Sequence, residues 1–210
     1  MIAIVDYGVG NLFSLKSSLA AVGAEAVVSG DPAVLASADK LLLPGVGAFG
    51  DAADKLRATG LDQVVIRQAQ AGKPLLGICL GMQLLFDRGY EFGIHDGLGL
   101  IPGMVRPIAD VIPAGLKIPH IGWNGLHLTG NDPLFSNIRE GDCVYFVHSF
   151  YADCDDEFIS ATAEYGAPLT ASVRSGNVFG CQFHPEKSGS VGLKILRAFC
   201  DWEGEETKQC

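Results

Sequence analysis

The chain has 210 residues, a net charge of −9 and 48% hydrophobic residues, which fits one large domain with ample core and argues against a nucleic-acid surface. No apolar run approaches the ~20 residues of a membrane helix, and Met1 leads straight into Ile2–Val5 without a signal-peptide pattern. The six cysteines include no C-x-x-C pair, so a reduced, cytoplasmic protein without a disulfide scaffold, nucleic acid or membrane is expected.

Strands and helices alternate through the first half. Ile2–Asp6 reads as a strand, and Leu12, Leu15, Leu19 and Val22 form a helical stripe that Gly23 can end. Ala26–Ser29 and Lys40–Leu43 read as short strands, and two helices fill Asp51–Arg57 and Leu61–Ala71, the second closed by Gly72. Lys73–Leu76 is a buried strand running into Cys79, and Met82–Phe86 reads as the helix that follows. The second half is richer in strand: Asp142–Tyr151, Phe158–Ala163, and a hairpin of Thr170–Arg174 with Val178–Phe183 that turns at 175–177. A last helix carries Val191, Ile195, Phe199 and Trp202 on one face, and the acidic tail with Glu203, Glu205 and Glu206 is expected to fray. The pattern predicts one α/β domain over residues 1–202, with a frayed tail at 203–210. Its sheet is open and largely parallel, with helices on both faces and ligands at the carboxyl ends of the strands.

Cys79 lies in Gly77-Ile78-Cys79-Leu80-Gly81, between a buried strand and a helix. Small residues around a nucleophile at such a turn are what a nucleophile elbow requires, here with Cys in place of Ser. His184 and Glu186 are two apart, so in extended chain they point to the same side, with Cα atoms ~6–7 Å apart. A carboxylate there orients an imidazole, and the imidazole activates a thiol. The residues read as a Cys-His-Glu hydrolase. The glycine-rich turn at Pro44–Gly47 follows a strand and should lie at the same end of the sheet. An oxyanion hole would draw on the N–H of Leu80 and one N–H of the Gly45-Val46-Gly47 turn.

Other patterns are weaker. Gly8-Val9-Gly10 invites a dinucleotide reading, but position 13 is Phe where a third glycine belongs. Cys143, Cys181 and Cys200 read as small buried hydrophobes. Cys181 with His184 falls short of a metal site, so no metal is expected. His120 and His148 fit a structural role as well as a ligand contact. Trp123 is core on general grounds, and Lys187 an ordinary solvated charge.

Six segments in order carry a resemblance: Asp6–Asn11, Pro44–Phe49, Gly77–Gln83, Pro119–Asn124, Tyr145–Ser149 and Gln182–Ser188. Together they closely resemble the class I glutamine amidotransferase subunits of imidazole glycerol phosphate synthase, over residues 1 to about 202. The resemblance implies that Cys79 attacks the glutamine amide, with His184 and Glu186 completing the triad. It places Val46, Gly47 and Leu80 at the oxyanion, and Gln83, Glu91, His148, Ser149 and Phe150 around the α-amino and α-carboxylate groups. Asn11, Trp123, Asn124 and Lys187 would face a cyclase partner, a (β/α)₈ barrel that receives the ammonia in a heterodimer. No cofactor is implied. Asp87–Tyr90 and Cys181 depart from the family pattern, the first bearing on Glu91. A subunit serving anthranilate or aminodeoxychorismate synthesis, and a stand-alone γ-glutamyl hydrolase, are the alternatives.

Overall fold

A computed structural model describes residues 1–204. The first half is built from β1 (Ile2–Val5), α1 (Leu12–Ala21), β2 (Ala26–Ser29), α2 (Pro32–Ser37), β3 (Lys40–Gly45), α3 (Phe49–Ala58), α4 (Leu61–Gln70) and β4 (Leu75–Cys79). A single helical turn, α5 (Leu80–Gln83), follows at once. Then come β5 (Arg88–Gly89), β6 (His95–Asp96), β7 (Met104–Pro107), β8 (His120–Leu128), β9 (Cys143–His148) and β10 (Phe150–Asp153). The chain closes with β11 (Ile159–Glu164), β12 (Pro168–Ser175), β13 (Val178–Cys181) and α6 (Gly189–Asp201).

The described residues form a nine-stranded sheet in the order β2-β1-β3-β4-β13-β12-β11-β8-β9. Pairing is parallel from β2 through β13 and antiparallel from β13 out to β9. The expected parallel sheet is therefore the first half, and the strand-rich second half extends it in the antiparallel sense. Alternation along each inner strand feeds two cores. Ala3, Val5, Leu41, Leu43 and Leu75 face α2, α3 and α4. Ile2, Ile4, Leu42, Leu76 and Ile78 face Leu15 and Leu19 of α1 and Ile195, Leu196 and Phe199 of α6. The Lys40 ammonium donates to the carbonyls of Phe199, Cys200 and Trp202 at 2.9, 2.5 and 2.5 Å, closing the end of α6.

Several boundaries differ from the sequence reading. The helix expected over Met82–Phe86 begins at Leu80 and ends at Gln83. Leu84, Leu85 and Phe86 are fully buried and leave no polar face. Their carbonyls accept instead from Leu98, Leu100 and Gly99 of the following loop, at 2.8, 2.8 and 3.2 Å. The strand expected over Asp142–Tyr151 is two strands. β9 pairs with β8 in the main sheet, whereas β10 pairs with β7 in a second, four-stranded sheet of order β10-β7-β5-β6. The switch falls at Ser149, whose carbonyl accepts from Ile108 N–H at 3.0 Å. β8 begins in the Pro119–Asn124 segment, read only as a motif, and runs four residues past it, and β5 and β6 span two residues each, too short for alternation to register. Cys143 is exposed at the start of β9, where its thiol reaches Gly141 O at 3.7 Å, and is no core residue. Of the acidic tail, Glu205 and Glu206 lie outside the described residues. Among those described, no helix is long and apolar enough to cross a membrane.

Candidate active site

Cys79 ends β4 and caps the N-terminus of α5 with φ 56° and ψ −114°. A non-glycine residue there costs about 1–3 kcal/mol and persists only where its surroundings enforce it. Close packing enforces it here. A Cβ on Gly45 would lie 2.8 Å from Gly81 N, and one on Gly77 would lie 2.7 Å from Gly81 O. A Cβ on Gly81 would overlap the Leu43 carbonyl. The glycines flanking Cys79 thus let the turn after β4 press against β3.

His184 follows β13, the parallel neighbour of β4, so its side chain arrives beside the elbow. Its N–H donates to Tyr145 O at 3.0 Å, tying it to β9 as well. The His184 Nδ1 and Glu186 Oε1 atoms are 2.9 Å apart, with side chains only 4% and 3% exposed. Burial pulls the His184 imidazole down, but hydrogen bonds and charge interactions with Cys79 and Glu186 outweigh it and raise the pKa to about 9. The ring is therefore an imidazolium at neutral pH. Gln182 Nε2 approaches Cys79 Sγ at 3.8 Å, and Gln182 Oε1 accepts from Gln83 Nε2 at 2.9 Å. The buried Tyr7 hydroxyl donates to Pro44 O at 2.8 Å, fixing the turn after β3. Burial, reinforced by Cys79, pushes its phenol well up.

A cavity of about 380 Å³ opens over Cys79 and His184. Val46, Gly47 and Leu80 form one wall, with Gly47 at φ 96°. Gln83, Glu91, His148, Ser149 and Phe150 line the cavity as well, the last three at the point where the chain changes sheets. Glu91 also holds the start of α3, where its Oε2 accepts from Phe49 N–H at 2.7 Å. Among the described residues, no group of three or more His, Cys, Asp or Glu side chains is arranged to hold a metal.

The four residues expected at a partner face are not all together. Trp123 is 56% exposed on β8, so the core reading of it fails. Its ring meets Tyr145 edge-on at 6.0 Å, and Lys187 Nζ lies 5.9 Å from the same Tyr145 ring. Lys187 also lines the large cavity. Asn11 sits instead at the start of α1, beside Glu186. Asn124 turns inward. Its Oδ1 lies 2.8 Å from His120 Nε2, and its Nδ2 donates to Glu164 O at 3.0 Å. His120 Nδ1 is 3.0 Å from His148 Nε2, and His148 Nδ1 is 2.8 Å from Phe150 O. His120 stacks on Tyr165 at 4.0 Å and on Phe146 at 5.0 Å. Burial lowers both imidazoles, His148 to about 4, where nearby His120 and His184 push the same way. A side-chain chain thus runs from the cavity wall to the strand that carries Trp123.

Sequence reasoning gave no role to Gln182, Tyr7, Tyr145 or Pro119, which lines the cavity. All four lie in the motif segments. Gln182 is two before His184, so alternation alone would have brought it toward Cys79.

The family model described as "Glutamine amidotransferase class-I" matches residues 3–201. The chain is 50% identical over 207 residues to "Imidazole glycerol phosphate synthase subunit HisH" of Streptococcus sanguinis, covering 99% of each chain. It is also 50% identical over 205 residues to the protein of the same name from Syntrophotalea carbinolica, covering 96% of this chain and 100% of that one. Among solved structures, one titled "Crystal structure of glutamine amidotransferase" superposes with a TM-score of 0.73 at 20% identity, covering 94% of this chain and 96% of that one. At that identity the likeness speaks for the fold.

Proposed function

The chain belongs to the class I glutamine amidotransferase family, and from that premise we propose that it is the glutaminase subunit of imidazole glycerol phosphate synthase in histidine biosynthesis. It hydrolyses glutamine to glutamate and ammonia. The observation that carries the chemistry is the buried His184–Glu186 pair, whose imidazole lines the cavity of about 380 Å³ together with Cys79.

Cys79 Sγ attacks the side-chain amide carbon of glutamine. Negative charge gathers on the amide oxygen, where the N–H of Leu80 and an N–H of Val46 or Gly47 receive it; one such donor contributes about 3–4 kcal/mol of barrier lowering. The C–N bond breaks as His184 gives its proton to the departing nitrogen, leaving a thioester. His184, now neutral, takes a proton from water, which adds to the thioester; the C–S bond then breaks, glutamate leaves, and His184 keeps the proton as at the start. Glu186 keeps Nδ1 of His184 facing inward, so that the other ring nitrogen serves Cys79. Gln83, Glu91 and the 148–150 corner hold the α-amino and α-carboxylate groups. Ammonia passes to a cyclase subunit, a (β/α)₈ barrel that makes imidazole glycerol phosphate and AICAR. That partner docks over the end of the sheet carrying the elbow, with Trp123 and Lys187 toward it. The heterodimer works in the cytoplasm.

Replacing Cys79 with Ala tests the reading. Glutamine hydrolysis is abolished in the complex, while ring closure continues when free ammonium is supplied. Undiminished hydrolysis in Cys79→Ala would sink the assignment.

A further inference from the structure

Only one oxygen of the catalytic carboxylate is accounted for. Glu186 Oε1 meets His184 Nδ1 at 2.9 Å. Its Oε2 is buried, and no protein donor among the described residues reaches it. Carboxylate oxygens in such places are almost always hydrogen-bonded.

The same carboxylate borders a second, much smaller cavity. Asn11, Leu15, Pro44, Gly45 and His184 line it with Glu186, and its volume is about 10 Å³. His184 and Val46 border both cavities, so the small one lies behind the triad as seen from the large one. A space of roughly 10–15 Å³ accommodates one water and no larger molecule, provided two to four polar groups surround it. The residues that border it carry such groups: Glu186 Oε2, the backbone of Pro44 and Gly45, and the side chain of Asn11. The Asn11 amide is available to a water, because it makes no capping hydrogen bond to α1. Leu15 and Ile78 close the cavity with apolar walls.

We propose that this cavity is a single-water site through which Asn11 positions Glu186. The water donates to Glu186 Oε2 and accepts from the Asn11 amide. With both oxygens engaged the carboxylate cannot swing, and Oε1 stays in the plane of His184 Nδ1. Asn11 touches neither substrate nor Cys79; it is a positioning residue that acts through the triad's carboxylate. The water site stands on geometry alone, whereas its kinetic consequence rests on the glutaminase reading.

The experiment uses the assembled complex at saturating partner, which separates this role from docking. Asn11→Leu fills the cavity without offering a donor. Its kcat for glutamine falls about tenfold, the worth of one well-placed hydrogen bond, with KM unchanged. The alkaline limb of its kcat/KM profile moves to lower pH as His184 loses its partner. Asn11→Ser, which keeps a hydroxyl and the space, recovers most of the loss. A wild-type crystal structure shows a peak within hydrogen-bond distance of both Glu186 Oε2 and Asn11, a reading that needs no variant. Wild-type kcat and pH profile in Asn11→Leu, with only the dissociation constant changed, overturns the proposal. So does a crystal structure with Asn11 bonded directly to Glu186. A wild-type complex that hydrolyses no glutamine yet shows the peak contradicts the glutaminase reading and leaves the water site standing.

Discussion

The two halves of the main sheet hold their parts of the site in different ways. On the parallel side, Cys79 is held by backbone: a positive φ at the end of β4, enforced by glycines that bring α5 against β3. On the antiparallel side, His184, Glu186 and His148 are held by side chains, each through a hydrogen bond to another polar group. Backbone restraint fails by steric overlap and takes the fold with it. Side-chain restraint fails one bond at a time, and the fold survives. The nucleophile is therefore the rigid partner, and the acid–base groups are the adjustable ones.

The sharpest way to break this contrast is Glu186→Gln. Loss of the carboxylate lowers glutaminase kcat by about 10²- to 10⁴-fold, the range for a triad orienter, while the variant still folds and unfolds in a single urea transition. A collapse of folding would show that the antiparallel side is also held by packing. On the parallel side, Gly81→Ala drives a methyl into the Leu43 carbonyl. Stability falls by about 3 kcal/mol, the upper end for overpacking, measurable by urea unfolding. A fully stable, active variant would show that β3 and α5 separate easily.

The pH dependence sharpens the contrast further. His184 titrates near 9 in the folded protein, above the ~6.5 of an unfolded histidine. Its contribution to stability is full below pH 6.5 and is lost as pH rises through 9. The stability difference between wild type and Glu186→Gln should shrink across that window; a constant difference from pH 6 to 10 would place the stabilisation elsewhere. The smallest effect on the fold is at Trp123. With its ring 56% exposed, Trp123→Ala shifts stability by about 0.5 kcal/mol or less. Partner association weakens by about 2 kcal/mol if the ring is an anchor, and glutamate then forms in excess over imidazole glycerol phosphate. Unchanged dissociation constant and product ratio would move the docking face away from β8.

What the sequence made legible follows the same division. The elbow could be read because glycines on both sides of Cys79 are a local requirement, and His184 with Glu186 because a spacing of two sets their side. The parallel strands showed because Leu41–Leu43 and Leu75–Ile78 are apolar on both faces. The turn from one sheet to the other at Ser149 was invisible, since nothing in 142–151 interrupts the alternation; the partner strands β7 and β8 decide it. α5 was misplaced because Leu84–Phe86 has helical composition, yet its carbonyls go to a loop more than ten residues on. The contact of Gln182 with Cys79 was there to be read from its spacing of two from His184, whereas that of Asn124 with His120, four residues apart on β8, has no local signal.

The chain from Phe150 to Glu164 has a property that emerges on counting hydrogens. Its four polar contacts, at 2.8, 3.0, 2.8 and 3.0 Å, each need one hydrogen between the heavy atoms. Two neutral imidazoles bring one each, and the Asn124 amide nitrogen serves only the side it faces. Three hydrogens cannot fill four contacts. With the amide on Glu164 O, a bare nitrogen pair remains between the rings; with the amide turned to His120, the Glu164 carbonyl is released. The shortage is common to the cavity wall and to the outer strand, so a donor brought to Glu164 from outside settles which way Asn124 faces and which tautomer His120 keeps.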